Sequence, residues 1–333
     1  MTNQEILRKA DMALADLASG GLLNPAQAAK FIRKMIEPSV LLQRIRTVEM
    51  NEPVRNINKI GFGSRILRAG VSATPLVGTY TAATPGTGRS KPTTEQVQLV
   101  TKEMLAEVVL PYDVLEDNIE GGNVAAGGPT GPDGPQAGGL QATLIDLIAE
   151  RCGTDLEEYC LLADTAKVGV DAFLAQTDGF IKLAEESGHV VDNGGTPAYI
   201  DKGLFKKGLF AMPDKYLRLR PQMRHFVSVD NEIEYRDSLA GRETPMGDNQ
   251  ITNGGPLFAY GVPVEPVPLM PTAKGLFCDP MNLIMGVQRK VTFEYDKDIG
   301  ARTFRIVVSL RVALEIEEAD AVVVYNEIKD PTE

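Results

Sequence analysis

The clearest pattern in the sequence is a helical stripe of apolar residues between positions 140 and 163. Apolar residues recur there every three or four positions, and acidic residues fall between them. This spacing predicts one long amphipathic helix with a single buried face. The stripe comprises Leu140, Leu144, Leu147, Ile148, Cys152, Leu156, Tyr159, Cys160 and Ala163, and the residues predicted to lie outside it are Asp146, Glu150, Asp155, Glu157 and Glu158.

Two shorter helices are predicted before position 38. The first, over residues 2–20, begins with TNQE, in which Glu5 can reach back to cap the helix at Thr2. The second begins at Asn24, carries Pro25 in its first turn and ends before Pro38. Because neither apolar face has an evident partner in the sequence, we expect residues 1–50 to form an arm.

The segment 51–110 has strand-like flanks around a middle rich in Thr, Gly, Pro and Ala. This composition predicts a long two-stranded excursion whose tip, residues 74–91, carries few large apolar side chains. A lone hairpin is marginally stable in water. We therefore expect the excursion to lie against another chain.

The rest of the chain mixes helices and strands. Residues 111–119 read as a short helical turn, and residues 120–139 as a loop too rich in Gly and Pro to pack. A helix is expected near 203–217, a strand near 223–231 and a helical turn near 231–239. Strands are expected to dominate 276–328, where Tyr295–Gly300 has the chemistry of a hairpin turn. The sum is an α+β body from which the arm and the hairpin project.

A proline-rich segment, PLFAYGVPVEPVPLMP, occupies residues 256–271. Its valines favour a strand, but proline lacks a backbone donor and has a fixed φ. The segment is therefore expected at a sheet edge, where Pro263, Pro266 and Pro268 would block unwanted pairing. A stiff connector between strands would have the same local shape.

Composition restricts the class of protein. The 333 residues are 43% hydrophobic and 24% charged, which is ordinary for a globular chain, and no apolar run approaches the roughly 20 residues that cross a bilayer. The start of the chain lacks the pattern of a secretory signal, so synthesis in a cytoplasm is expected. The three cysteines, Cys152, Cys160 and Cys278, form no CxxC motif and suit a reducing compartment.

The formal net charge of −11 argues against tight binding of nucleic acid, since duplex binding depends on Lys and Arg displacing counterions. One basic cluster exists between Lys215 and His225. Its charges alternate with Leu and Met, so it reads as the charged face of a half-buried strand rather than as a DNA-binding patch.

The sequence offers no organised catalytic or metal-binding constellation. The two histidines, His189 and His225, stand apart from any cysteine, and none of the common nucleotide, hydrolase or zinc motifs is present. In EIEEAD, residues 315–320, Glu315 and Glu317 would share one face of a strand while Glu318 points to the other. We therefore assign no catalytic, cofactor-binding or metal-binding residue and expect no cofactor and no enzymatic activity.

Taken in order, these parts resemble the major capsid proteins of tailed bacteriophages, which have the Hong Kong 97-type shell fold. The resemblance covers nearly the whole chain. Each motif is weak alone, but five of them occur in the order of the family. They are DLEEYCLLAD at the end of the long helix, FVSVDNEIEYRDSL, PLFAYGVPVEPVPLMP, NLIMGVQRKVTFEYD, and SLRVALEIEEADAVVVYNEI as the closing strand pair.

The resemblance implies a domain organisation and a set of partners. It places an N-terminal arm at 1–50, an E-loop at 51–110, a P-domain with a spine helix at 111–165 and 285–317, and an A-domain at 166–284 and 318–333. It implies self-association into hexameric and pentameric capsomers, a portal protein, and a shell that encloses double-stranded DNA without specific binding and without a membrane. Separate scaffolding, decoration or cement proteins are compatible with it.

The sequence departs from the family pattern in two respects, and two other classes of protein remain as alternatives. Only about fifty residues precede the excursion, so any scaffold is expected to be separate or not needed, and the loop 120–139 interrupts the usual approach to the spine helix. Some members join subunits by a lysine–asparagine isopeptide bond; Lys91 and Asn282 are candidates by position, but nothing in the sequence selects them. An encapsulin-like compartment is the first alternative, against which the N-terminal helices count, and a soluble enzyme with an unrecognised site is the second.

Overall fold

A computed structural model describes residues 39–62, 92–111, 140–192, 194–240, 255–288, 292–298 and 300–331. The helices predicted before Pro38, the hairpin tip at 74–91, the helical turn at 112–119 and the loop at 120–139 lie outside the described residues. The chain divides into two compact units, one formed by Val54–Leu99 and the other by the rest of the chain.

The helices and strands form an α+β fold, in which, among the described residues, four strands precede the first helix and seven follow the last α-helix. The strands are β1 (Arg46–Met50), β2 (Val54–Gly61), β3 (Thr93–Val100), β4 (Lys102–Pro111), β5 (His189–Val191), β6 (Arg224–Val227), β7 (Leu257–Ala259), β8 (Val262–Pro266), β9 (Gly275–Cys278), β10 (Leu283–Gln288), β11 (Thr292–Asp298), β12 (Thr303–Ile316) and β13 (Val322–Tyr325). The helices are α1 (Leu140–Leu162), α2 (Phe180–Ser187), α3 (Lys202–Ala211), α4 (Asp214–Leu217) and α5 (Val229–Ala240), with 3-10 turns at Thr165–Lys167, Leu174–Gln176, Pro280–Asn282 and Ala319–Ala321.

The long strand β12 organises a five-stranded sheet. It pairs with β4, β11 and β10 along its length, and β1 joins β10 in parallel. Alternate residues of β12, among them Val308 and Val312, face a core that also contains Leu156 and Tyr159 of α1. The predicted amphipathic helix is therefore confirmed, and its buried residues share this core with the sheet.

A six-stranded sheet has the order β5-β13-β9-β6-β8-β7. Its central strands alternate between two cores: Phe226 and Val324 belong to the core that contains α1 and α2, whereas Phe277 and Tyr325 belong to a second core with α3 and α5. Helices thus cover both faces, which explains why β9 and β13 are buried along their whole length.

The proline-bearing strand of the segment 256–271 is not a sheet edge, so that prediction is wrong. The segment folds into the hairpin β7–β8 around Tyr260 and Gly261, whose φ angles of 51° and 80° suit a two-residue turn. The edge is β7, which has no proline, and β8 lies between β6 and β7. Pro263 comes just before the first residue of β8 that pairs with β6, and Pro266 comes after the last residue of β8 that pairs with β7. Each proline therefore has a strand partner on one side only.

The basic cluster at 215–225 is also not a continuous strand. Successive backbone bonds from Leu219 to Tyr216, Arg220 to Leu217 and Gln222 to Leu219 wind it into turns that follow α4, and β6 begins only at Arg224. Short-range hydrogen bonds satisfy the backbone here in place of a sheet. The alternation of charged and apolar residues was therefore misleading.

The unit Val54–Leu99 contains the paired strands β2 and β3. Polar contacts join them, including Thr93 Oγ1 to the Gly61 carbonyl at 3.1 Å and Gln98 Nε2 to Asn56 Oδ1 at 3.2 Å. Leu99 is the one buried residue in these two strands, and all their remaining residues are exposed or half-buried. Paired strands are thus present in the segment predicted as an excursion, while its projection from the body and the predicted boundaries of arm, excursion and domains remain predictions.

Candidate functional site

His225 lies in the core of the six-stranded sheet and serves packing. Its ring stacks on Phe277 with centroids 4.4 Å apart, and Nδ1 lies 3.1 Å from the hydroxyl of Tyr325. Burial, with a smaller contribution from the charge of Arg220, lowers the pKa of His225 from 6.5 to about 3. The imidazole is therefore neutral near pH 7 and has no solvent-facing nitrogen to offer a substrate.

The three cysteines carry thiols that resist ionisation. All are free; Cys160 and Cys278 are buried and Cys152 is half-buried. Burial raises the pKa of Cys152 to about 11, with help from Asp155, and raises the pKa values of the other two further. A neutral thiol is a poor nucleophile, so these side chains act as small core residues.

The carboxylates of 315–320 bind separate partners within the chain. Glu317 Oε2 pairs with Arg46 Nη1 at 2.7 Å, and Glu318 Oε2 accepts from the Tyr216 hydroxyl at 3.0 Å. Burial raises the pKa of Glu315. Ile316 is buried beside the half-buried Glu315, as the predicted alternation requires, but β12 ends at Ile316, so Glu317 and Glu318 lie beyond the strand. The group stabilises contacts within the body and offers no converging pair for acid–base work.

Asn282 is fully occupied in the described structure. Its Nδ2 donates to the Glu318 carbonyl at 2.8 Å, and its Oδ1 accepts from the Glu318 amide at 2.7 Å. An isopeptide bond through this side chain would release Nδ2, the atom that donates to the Glu318 carbonyl, and would leave Oδ1 in place. Lys91, its candidate partner, lies outside the described residues.

Two residues of α1 differ from the sequence prediction. Leu147, predicted on the buried stripe, is exposed. Glu157, predicted outside it, is buried, and its Oε1 accepts a hydrogen bond from the amide of Leu41 at 3.0 Å. Because that partner is 116 residues away, helical periodicity could not reveal it. The buried carboxylate fixes residues 39–45 on α1.

The described part of the chain contains no cluster of three or more His, Cys, Asp or Glu that could hold a metal ion. No helix among the described residues is long and apolar enough to span a membrane. The features that remain as candidates for function are surfaces.

The hairpin of β2 and β3 is the first candidate surface. Ile60 is 73% exposed and Phe62 is 52% exposed, although both are large apolar side chains. Ile60 shares a face of β2 with Asn58, and Phe62 directly follows the last residue of this strand. Such a row of exposed apolar residues is typical of a binding surface.

A second candidate surface is the turn that follows α1. Val168 and Val170 are both strongly exposed on either side of Gly169, whose φ is 89°. The carboxylates of Asp164, Asp171 and Asp178 each accept hydrogen bonds from backbone amides of this loop. The loop is therefore held in one shape while it presents two valines to water.

A chain whose strand β2 and whose turn after α1 present large apolar side chains to water has the construction of a subunit that assembles with other chains. No family model matches the chain. It is 36% identical over 342 residues to "Putative prophage capsid protein YqbE" of Bacillus subtilis (strain 168), an alignment that covers 99% of this chain and all of that one. The chain therefore belongs to the family of tailed-phage capsid proteins.

Solved structures show which fold the chain has. A chain of "Satellite phage P4 procapsid including size determination (Sid) protein" superposes with a TM-score of 0.61 at 14% identity, covering 99% of this chain and 98% of that one. A chain of "Capsid of native GTA particle computed with C5 symmetry" gives 0.58 at 15% identity, covering 88% and 91%. The fold is the Hong Kong 97-type shell fold predicted from the sequence.

Proposed function

We propose that the chain is a major capsid protein, the structural subunit that assembles into the icosahedral head enclosing phage double-stranded DNA. The observation that carries this proposal is the exposed hairpin of β2 and β3. Only one residue of the two strands is buried, and so little burial is not enough to make a two-stranded unit stable in water. A neighbouring subunit that covers Ile60 and Phe62 would supply the missing burial.

The proposed mechanism is packing rather than catalysis. Each subunit would use those parts of its N-terminal arm (1–50) and E-loop (51–110) that lie outside its own five-stranded sheet, which includes β1 and β4, to bury surface on neighbours. Many weak contacts would then add up to a cooperative shell. The P-domain (111–165 and 285–317) and A-domain (166–284 and 318–333) would form the body. The net charge of −11 supports a container whose wall does not hold the DNA tightly.

The partners follow from that role. We propose that copies of the chain form capsomers of five and six, that one vertex meets a portal protein, and that scaffolding, decoration or cement proteins, where used, are separate chains. The subunit would be made in the host bacterial cytoplasm and end in the virion capsid. The encapsulin-like alternative shares the fold, and the contents of purified particles, nucleic acid or cargo protein, distinguish the two.

The hairpin provides the test. The double variant Ile60→Asp with Phe62→Asp places charge where a neighbour would need apolar contact. Because both side chains are exposed in the single subunit, its melting temperature should change by no more than a few degrees. Sedimentation should show loss of closed shells, with free subunits or capsomers remaining.

Asn58→Asp is the matched control, since it adds a charge of the same sign on the same face of β2 without removing an apolar group. It should assemble as the wild type does. Normal shells from the double variant would contradict a role for the hairpin in assembly, and an unfolded double variant would show that the hairpin belongs to the core of the subunit.

A further inference from the structure

Helices α3 and α5 share one face of the six-stranded sheet but lie towards opposite ends of it. Helix α3 contacts β5 and β13, at one end of the strand order, whereas α5 contacts β8, next to the other end. They meet where the rings of Phe205 and Tyr235 pack edge to face, with centroids 4.8 Å apart. Each helix also has an outer face that the sheet does not cover.

The outer face of α3 is basic with one large apolar residue. The helix contains three lysines and no acidic residue, and Lys202, Lys206 and Lys207 are all exposed. Phe210, one turn beyond Lys206, is 78% exposed, and Lys206 Nζ lies 5.6 Å from the centroid of its ring. We call Lys202, Lys206, Lys207 and Phe210 the basic face.

The outer face of α5 has the opposite charge. The helix contains four acidic residues and one arginine, and that arginine, Arg236, pairs with Glu232 of the same helix. Asp230, Ile233, Glu234 and Asp237 follow helical spacing on the outer side, with Ile233 57% exposed. We call these four residues the acidic face.

A ring of identical subunits brings opposite edges together. Rotation about a closed axis sets one edge of each subunit against the other edge of the next, so the two contacting surfaces differ and must complement each other. The basic and acidic faces lie towards opposite ends of one sheet, carry opposite charge and each offer one apolar side chain. Opposite charges steer association and set its register, while the apolar pair supplies burial.

We propose that the basic face of α3 binds the acidic face of α5 on the next copy of this chain around the capsomer axis. The inference rests on the proposed function, because it needs a ring. A second copy is the favoured occupant since both complementary surfaces belong to the same chain, whereas nucleic acid would be attracted to the basic face and repelled by the acidic one.

Charge reversal tests the contact. The acidic-α3 variant is Lys202→Glu with Lys206→Glu, and the basic-α5 variant is Glu234→Lys with Asp237→Lys. Each alone sets like charges against each other, so each should lose most ring and shell formation, while the four-fold combination restores opposite charges and should recover it. All positions are exposed or half-exposed, and circular dichroism with thermal melting checks that each variant folds. Lys202→Arg with Lys206→Arg keeps the charge and should assemble normally.

Mixing the two reversed variants gives a sharper readout. One copy then carries two acidic faces and the other two basic faces, so favourable contacts need strict alternation around the ring. Alternation closes in a ring of six but not in a ring of five. Native mass spectrometry of an equimolar mixture should therefore show six-membered rings with three copies of each variant, and rings of five should be depleted relative to wild type.

The outcomes separate this inference from the proposed function. If the wild type forms no rings or shells under any salt condition, the proposed function fails and takes the inference with it. If the wild type assembles and both reversed variants assemble equally well, the inference is overturned while the proposed function stands. The inference is also overturned if the four-fold variant folds but does not recover assembly. It is overturned as well if the acidic-α3 variant loses nucleic-acid binding and nothing else.

Discussion

Single polar residues in the interior define how the elements of the body fit together. The carboxylate of Glu157 accepts from the amide of Leu41, and the side-chain amide of Asn231 donates to the Thr272 carbonyl at 2.7 Å. His225 meets the hydroxyl of Tyr325 beside the six-stranded sheet. Each of these contacts joins segments far apart in sequence, so that slippage of one element would leave a polar group without a partner.

The buried histidine predicts a specific pH dependence of stability. His225 has a pKa of about 3 in the folded chain, against about 6.5 when unfolded. Between these values the unfolded chain binds the extra proton, so the free energy of unfolding falls as pH decreases from 6.5 towards 3, by up to about 1.4 kcal/mol per pH unit from this group. Well above the unfolded pKa the group adds no pH dependence.

Urea unfolding of the free subunit at several pH values, compared with His225→Phe, isolates this contribution. Phenylalanine cannot titrate, and the lost partner of the Tyr325 hydroxyl lowers stability by an amount that does not depend on pH in this range. The wild type should therefore lose more stability than the variant as the pH falls below about 6. Parallel curves for the two proteins would show that His225 is not held neutral by burial.

At the scale of elements, α3 packs on β13 through a glycine. A Cβ at Gly208 would overlap the hydroxyl and ring of Tyr325, which is itself fully buried. Gly208→Ala should therefore destabilise the subunit by about 1–3 kcal/mol, although alanine gains about 1 kcal/mol in helix propensity. Urea unfolding measures the difference.

Gly203→Ala on the same helix is the control. The nearest atoms to a Cβ there are carboxylate oxygens of the Asp201 side chain at 3.0 and 3.1 Å. Although Oδ1 accepts the capping hydrogen bond from the Leu204 amide, a small shift of this side chain is enough to relieve the contact. Its effect should stay within about 1 kcal/mol. Equal stability of the two alanine variants would contradict the close approach of α3 to β13.

Elements whose own sequence determines them were predictable. The stripe at 140–163 predicted α1 because its period is local, and the α+β class followed from helical segments in the middle of the chain and strand-like segments near its end. The prediction for the proline-rich segment was wrong because the tolerance of Pro263 and Pro266 depends on where β6 and β7 stop pairing. The candidate contact surfaces of α3 and α5 were harder to predict. Their opposite charges are visible in the sequence, but the positions of the two helices along the sheet are determined by tertiary structure.

At the scale of the whole molecule, the chain has the features of a subunit that completes its burial in an assembly. Its body contains two well-buried cores, whereas the hairpin, the turn at Val168–Val170 and the outer faces of α3 and α5 leave apolar side chains in water. Membership of the tailed-phage capsid family supplies the partner that these surfaces need, which is further copies of the chain. Many such contacts, each weak, stabilise a closed shell cooperatively.

Electron microscopy of the purified full-length protein tests this account most directly. We expect closed icosahedral particles, or rings of five and six copies, because the exposed surfaces are matched by copies of the same chain. Images should be collected over a range of protein and salt concentrations, since charge-steered contacts weaken as salt rises. Particles or rings would support the shell role, and a protein that remains monomeric throughout that range would contradict it.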